Sequence, residues 1–251
     1  DNVGTLLEAP EPRSGKGVFL AIDLTPAVTD ELLSDANSTV SVAIIYHPPI
    51  FKALKSLTFS SSSSPNPLIT KSLLRLASAG ISIYCPHTSL DAAPNGINDW
   101  LAYCVSSNDW FERAGLAGLR GVWTPIAKTK VPQYLEKAGM GRLVKLSTPC
   151  TITTVIDRLK KHLGLKHGGC SRDCPRQNHD LTFPLPYSVQ VAQAQPRDHQ
   201  IETIAVCAGS GGSVFGTTLA DLCESGKSVW VMCRTDASLA ILQMSRARCR
   251  M

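Results

Sequence analysis

Four apolar runs rich in β-branched residues alternate with polar segments along the chain. The runs cover residues 17–25 (GVFLAIDLT), 40–47 (VSVAIIYH), 80–85 (GISIYC) and 201–208 (IETIAVCA). Runs of this length and composition predict β-strands. Their nearly continuous apolarity is typical of strands that are buried on both faces, in a sheet covered by helices.

An amphipathic segment between the second and third runs predicts a helix. The serine tract at 60–66 predicts a surface loop before it, Pro67 suits its first turn, and Gly80 ends it before the next strand. A strand, a helix and a strand in this order form a βαβ unit. The two strands are therefore predicted to be parallel.

A second strand and helix are predicted further along the chain. Residues 141–147 (GRLVKLS) predict a strand, and residues 151–164 (TITTVIDRLKKHLG) predict a helix that ends at Gly164. One face of this helix is apolar, and it consists of Ile152, Val155, Ile156, Leu159 and Leu163. The alternation of strands and helices predicts an α/β fold.

The predicted organisation is a single domain over residues 1–251 with two lobes, each a sheet flanked by helices. Lobe one comprises residues 1–104 plus 201–251, and lobe two comprises about 105–165. Residues 166–200 are polar and proline-rich, which predicts an irregular insertion or linker.

Composition narrows the classes of protein. The chain has 251 residues, 43% of them hydrophobic, which is enough for a sizeable core. Its net charge is +5, but Lys and Arg are scattered rather than clustered, so nucleic acid is not an expected partner. No apolar run approaches the roughly 20 residues that a membrane span requires. The nine cysteines are an odd number spread through the chain, which favours reduced thiols and an intracellular compartment.

Two of the predicted strands end in residues that can bind a metal. His47 follows the second run and is itself followed by two prolines, while His87 and Asp91 follow the third run. Ligands collect at the carboxyl ends of parallel strands, so the two imidazoles and the carboxylate are predicted to converge on a divalent cation. Two structural alternatives stay open: His47 as a strand-end residue bonded to a loop carbonyl, and Asp91 as the cap of a following helix.

A glycine-rich segment follows the fourth run. Gly209, Ser210, Gly211 and Gly212 form a loop whose backbone amides are predicted to approach an anionic group. The glycine spacing does not match a dinucleotide-binding fingerprint or a P-loop. A tight strand-to-helix turn without a ligand is the alternative.

Five segments, in order along the chain, resemble the Nif-three-like family, whose members are also labelled type-two GTP cyclohydrolase-one homologues. They are DNVG at 1–4, YHPPIFKALK at 46–55, IYCPHTSLDAAPNGINDWLA at 83–102, GRLVKLSTPCTITTVIDRLKKHLGL at 141–165 and VCAGSGGSV at 206–214. The YHPP form in place of the bacterial HHP resembles eukaryotic members.

The resemblance implies a fold, an assembly and a cofactor. It implies an α/β fold of two similar lobes, a homo-oligomer that is often a hexamer of stacked trimers, and a centre for divalent metal such as zinc, iron or manganese. His47 and Asp91 match family ligands, with His87 beside them in the motif. The resemblance further implies either a metal-dependent hydrolase or cyclohydrolase that acts on a small nucleotide-like substrate, or a catalytically silent scaffold or transcription-related protein with protein partners. A cytoplasmic location is expected, with mitochondrion and nucleus as alternatives.

The chain also departs from the family pattern. Tyr46 stands where bacterial relatives supply another ligand. After Asp221 and Leu222 the family's GE and HH residues are missing, and no histidine follows His199. Two implied ligands are therefore absent, which favours the scaffold reading for this chain. The opening without methionine leads us to expect an incomplete N-terminus, and the departure after Leu222 an altered C-terminus.

Overall fold

The computed structural model describes residues 2–58, 66–106, 123–128, 138–163, 188–192, 199–209, 214–215, 229–234 and 238–244. The chain forms two compact units, Asp1–Leu90 and Asp91–Met251. Each combines a sheet with helices, which confirms the predicted α/β class. No helix among the described residues is both long enough and apolar enough to span a membrane.

The first unit contains a four-stranded sheet. Its strands are β1 (Gly4–Leu7), β2 (Gly17–Ala21), β3 (Val40–Ile45) and β4 (Ser82–Cys85), in the order β1-β4-β3-β2. Strands β2, β3 and β4 are mutually parallel, and β1 runs antiparallel to β4. The predicted parallel pairing of the second and third runs is confirmed.

Two helices of the first unit begin at proline. Helix α1 (Pro26–Leu32) is capped by Thr25, whose hydroxyl accepts from the Val28 amide, and a short 3-10 turn (Asp35–Asn37) follows it. Helix α2 (Pro67–Ser78) is capped by Asn66. Helix α2 confirms the βαβ prediction, and Gly80 follows it with φ +75, a value that favours glycine. Helix α3 (His87–Ala92) comes directly after β4.

The core of the first unit lies between the sheet and helices α1 and α2. It is formed by Leu32, Ala43, Ile45, Leu73, Leu76, Ile81 and Ile83. The opposite sheet face contains the row Leu20, Ile44 and Tyr84, where Leu20 is 72% exposed. The prediction that these strands are buried on both faces is wrong for β2, because β2 is an edge strand and the helices packed in this core cover one face of the sheet.

The second unit contains a six-stranded mixed sheet in the order β5-β6-β8-β9-β10-β7. Its strands are β5 (Trp123–Lys128), β6 (Gly139–Cys150), β7 (Ser188–Ala192), β8 (Ile201–Ala208), β9 (Val229–Arg234) and β10 (Ser238–Met244). The β8·β9 and β10·β7 pairs are parallel, and the others are antiparallel.

Helices α4 (Ile97–Val105) and α5 (Ile152–Leu163) pack on this second sheet. Strand β6 and helix α5 confirm the strand predicted at 141–147 and the helix predicted at 151–164. The sequence placed 201–251 in lobe one and divided the lobes after residue 104. In the structure β8 pairs with β6 and the two units divide after Leu90, because an apolar run does not encode which sheet it joins.

The region predicted as an irregular insertion, 166–200, contains strand β7, which pairs with β10. Residues 166–187 and 193–198 of that region, and residues 60–65 of the serine tract, lie outside the described residues.

Candidate functional site

The parallel strands of the first unit bring three polar side chains to one edge of the sheet. Asp23 follows β2, His47 follows β3 and His87 follows β4. Strand pairing continues past the strand ends, because the Tyr46 amide donates to the Ala21 carbonyl at 3.0 Å and the His47 amide donates to the Ile22 carbonyl at 2.9 Å. The imidazole and carboxylate groups therefore lie at the carboxyl edge of this sheet, which is the edge where ligands commonly bind in α/β proteins.

His47 is held by a carboxylate. Its Nδ1 atom lies 2.8 Å from Asp23 Oδ1, and the side chains of His47 and Asp23 are 28% and 59% exposed. A carboxylate accepts hydrogen bonds and does not donate them, so the proton of this contact resides on Nδ1. In the neutral ring the lone pair then belongs to Nε2, which is the form that binds a metal through Nε2.

His87 approaches His47 from the neighbouring strand. Their ring centroids are 6.2 Å apart with the ring planes at 73°, and the Tyr46 ring lies 5.9 Å from that of His87. The Nδ1 atom of His87 is buried and has no hydrogen-bond partner in the part of the chain that the structure describes. Buried polar atoms are nearly always paired. This nitrogen would pair with an acceptor if it carries the ring proton, and with a proton donor or a cation if it carries the lone pair.

The backbone at His87 is strained as well. Its φ is +29, a region that residues with a Cβ rarely adopt and that costs on the order of 1–3 kcal/mol. Strained backbone persists where the surrounding structure enforces it, and it concentrates at functional sites. The strain is therefore a second indication, besides the unpartnered nitrogen, that His87 belongs to a functional site.

Cys85 is a structural neighbour of the histidines. Its thiol donates to the Tyr46 carbonyl at 3.1 Å and so joins the end of β4 to the end of β3. Burial raises the pKa of the Cys85 thiol, and a hydrogen bond from the His87 backbone opposes this in part. Since metal binding requires the thiolate, burial makes Cys85 a poor ligand.

Asp91, the carboxylate predicted to complete the site, lies in the second unit. It is the fifth residue of α3, is 5% exposed, and its backbone carbonyl accepts from Asn98 Nδ2 at 2.9 Å. The cap of helix α4 is Gly96, without a side-chain hydrogen bond, so the alternative role for Asp91 as that cap is not the one observed.

A buried polar network surrounds this part of the second unit. Asn98 Oδ1 accepts from the Ala208 amide at 2.8 Å, so Asn98 joins Asp91 to the end of β8. Asp99 forms a buried ion pair with Arg142 of β6, and Arg142 also donates to the carbonyl of Gly141 at 2.7 Å. We did not predict this network, although an arginine within an apolar strand was a signal for a buried partner.

The glycine loop is described only at its first residue. Gly209 follows β8 with φ +74, which favours glycine. Ser210, Gly211 and Gly212 lie outside the described residues, so an anion-binding role for this loop stays a prediction.

The donor set fits a cation in part. His47 and His87 supply two imidazoles at one sheet edge, and the unpartnered nitrogen of His87 is the kind of atom that a cation would satisfy. Among the described ranges, no group of three His, Cys, Asp or Glu side chains is arranged to hold a metal ion. The residues of the first unit therefore account for two ligands of a site, fewer than the three that catalytic zinc usually has.

Fold and site together define an α/β protein of two sheet-containing units, with a histidine pair at the carboxyl edge of the parallel strands. The family model for Duf34/NIF3 (NGG1p interacting factor 3) matches residues 1–224. The chain belongs to this family, which confirms the resemblance drawn from its motifs.

Curated relatives agree with this assignment. The Protein NIF3 homolog of Schizosaccharomyces pombe is 37% identical over 229 residues, which is 90% of this chain and 68% of that protein. The NGG1-interacting factor 3 of Saccharomyces cerevisiae is 31% identical over 226 residues, covering 86% and 65% of the two chains. A protein of Clostridium acetobutylicum named GTP cyclohydrolase 1 type 2 homolog is 27% identical over 161 residues, covering 64% and 51%.

Solved structures share the fold. A hypothetical protein of Staphylococcus aureus matches with a TM-score of 0.57 and 17% identity, over 96% of this chain and 77% of that one. A Bacillus cereus protein related to NIF3 matches with a TM-score of 0.57 and 16% identity, over 96% and 81%. At this identity the likeness concerns the fold alone, and it agrees with the predicted Nif-three-like fold.

Proposed function

We propose that this protein binds a divalent metal ion at the carboxyl edge of the first sheet, with His47 and His87 as nitrogen ligands. The observation that carries the proposal is the buried Nδ1 atom of His87, which has no hydrogen-bond partner among the described residues. The strained backbone of His87 and the carboxylate on His47 support it. Imidazole ligands suit zinc and iron, whereas manganese prefers sites richer in oxygen.

The sequence predicts Asp91 as the third ligand, although the described residues do not arrange it with the two histidines as a three-ligand group. It follows His87 by four residues in the same short helix, and its carboxylate is the oxygen donor that two imidazoles would need for a three-ligand site. Its membership of the site is part of the proposal and is tested by the variants below.

The reaction we propose is hydrolytic. A divalent ion of this kind supplies Lewis-acid polarisation of a carbonyl or phosphoryl group. In this scheme His47 and His87 would hold the ion, Asp23 would fix the tautomer of His47, and the substrate would be a small nucleotide-like molecule. The relative named GTP cyclohydrolase 1 type 2 homolog supports a nucleotide-like substrate class.

A second candidate is a catalytically silent interaction protein that acts through protein partners, as a homo-oligomer. Two observations favour it. The described residues contain no complete three-ligand group, and a yeast relative carries the name NGG1-interacting factor 3. The two candidates differ in one measurable property, which is the binding of a metal.

Isothermal titration of chelator-treated protein with Zn²⁺ separates the two candidates. We expect about one equivalent to bind, and binding to be lost in His47→Ala and in His87→Ala. Asp91→Ala tests the third ligand, and we expect weakened binding. The matched control is His162→Ala, which removes a histidine of helix α5 from the second unit. Less than about 0.2 equivalents, unchanged in His47→Ala, would exclude the metal-binding function and leave the interaction protein.

A further inference from the structure

We infer that Asp23 is a positioning residue for His47, which it holds as the Nδ1-protonated tautomer so that Nε2 carries the lone pair a metal requires. The inference deepens the proposed function and rests on it for its purpose. Asp23 belongs to none of the motifs that carry the family resemblance. Its place beside His47 follows from the register of the sheet.

The sheet register places Asp23 opposite His47. Ala21 of β2 pairs with Ile45 of β3. Two residues further along each of these segments lie Asp23 and His47. The His47 amide donates to the Ile22 carbonyl at 2.9 Å, so the two backbones remain together up to the last residue before Asp23. The contact between the two side chains is therefore a consequence of the parallel pairing of β2 and β3.

The chemistry of the contact fixes a proton. Asp23 Oδ1 lies 2.8 Å from His47 Nδ1, and a carboxylate oxygen can only accept there. A metal-binding histidine commonly donates its second ring N–H to a carboxylate, which selects the tautomer and orients the ring. The Asp23–His47 pair has this arrangement in the protein alone.

An exposed ion pair without a function is the rival explanation, and the same unit contains a pair for comparison. Asp30 Oδ1 lies 2.6 Å from Arg75 Nη1, with side chains 65% and 38% exposed. Exposed pairs of this kind contribute little to stability. Asp23→Ala and Asp30→Ala each remove one exposed carboxylate from the first unit, and only the first removes the acceptor for His47.

Nitrogen NMR of metal-free protein labelled with ¹⁵N-histidine tests the inference directly. Spectra are recorded at about pH 8.5, where free imidazole is neutral, and the His47 signals are assigned by their loss in His47→Ala. We expect wild type and Asp30→Ala to carry the proton of His47 on Nδ1, and Asp23→Ala to lose that preference. A His47 ring protonated on Nε2 in wild type, or a tautomer unchanged in Asp23→Ala, would overturn the inference.

Zinc titration of the same proteins separates this inference from the proposed function. We expect Asp23→Ala to bind Zn²⁺ about 10- to 100-fold more weakly than wild type, and Asp30→Ala to match wild type. A changed tautomer with unchanged zinc affinity would refute the positioning role. Absence of zinc binding in wild type would refute the proposed function, while the NMR result still decides whether Asp23 sets the tautomer of His47.

Discussion

The imidazole rings of His47 and His87 lie 6.2 Å apart, at the ends of two neighbouring parallel strands. The βαβ unit that contains β3, α2 and β4 makes this proximity a property of the topology, since parallel neighbours end at the same edge of a sheet. A chain that forms this unit therefore brings the two histidines together without any further contact between the segments that follow the strands.

The backbone of His87 gives a prediction that is independent of any metal. At φ +29 a Cβ is disfavoured, so His87→Gly should be more stable than His87→Ala by about 0.5–1 kcal/mol, although both variants lose the imidazole. Urea denaturation of the two metal-free variants measures the difference.

Lys71 supplies the control for this comparison. It is an exposed residue within helix α2, where Lys71→Ala should be more stable than Lys71→Gly by about 1 kcal/mol. The sign of the alanine–glycine difference should thus reverse between the two positions. Equal signs would contradict the strained conformation of His87.

The ion pair of Arg142 and Asp99 should contribute strongly to the stability of the second unit. Their side chains are 1% and 8% exposed, so Arg142→Ala leaves a buried carboxylate without its charged partner. We expect a loss of about 3–5 kcal/mol in the free energy of unfolding, measured by urea denaturation.

Arg75→Ala is the matched control, because it removes an arginine from an exposed pair with Asp30. We expect it to cost less than about 1 kcal/mol. Similar losses in Arg142→Ala and Arg75→Ala would mean that the Arg142–Asp99 pair is not desolvated as described.

Asn98 should contribute more to the free energy of unfolding than an exposed asparagine does. Its side chain accepts from the Ala208 amide and donates to the Asp91 carbonyl, and all three groups are buried. Asn98→Ala leaves the buried Ala208 amide without its acceptor, at a cost of about 1–3 kcal/mol, and removes one hydrogen bond to the Asp91 carbonyl. Thermal or urea unfolding would detect this loss. Asn37→Ala, which removes an exposed hydrogen bond to the Glu31 carbonyl, should change stability by far less.

His162 predicts a loss of stability toward acid pH. Burial, and then the charge of Lys161, lower the pKa of His162 below its ordinary 6.5. As the pH falls the unfolded chain takes up this proton first, so the contribution of His162 is complete above about pH 6.5 and is lost as the pH falls through the lowered value. Wild type should therefore lose more stability between about pH 7.5 and 5.5 than His162→Gln. An equal or smaller loss in wild type would contradict the prediction.

The sequence was sufficient to predict the elements that depend on local pattern. The βαβ unit and helix α5 follow from periodicity, from Pro67 and from Gly80, because these signals lie within the segments that they shape. The positions of His47 and His87 after two strands were predicted for the same reason. Asp23 was missed because it lies inside an apolar run, and its meaning emerges only when β2 is known to pair in parallel with β3.

Contacts between elements that lie far apart in the sequence could not be predicted from the same patterns. The pairing of Arg142 with Asp99 joins β6 to α4, and the sequence around each residue does not indicate which residue will be its partner. The apolar runs of β9 and β10 do not specify which strands they join, and β8 pairs with β6 rather than with the first sheet. The exposed side chain of Leu20 shows the same limit, since an apolar run does not specify which of its faces a helix will cover.

The central claim is that His47 and His87 bind one divalent ion together. X-ray absorption spectroscopy of protein loaded with one equivalent of zinc counts the imidazoles around the metal. The account predicts two imidazoles in wild type and in His162→Ala, and one fewer or no bound zinc in His47→Ala and in His87→Ala. Zinc that retains the same ligand count and occupancy in both of these variants would contradict it.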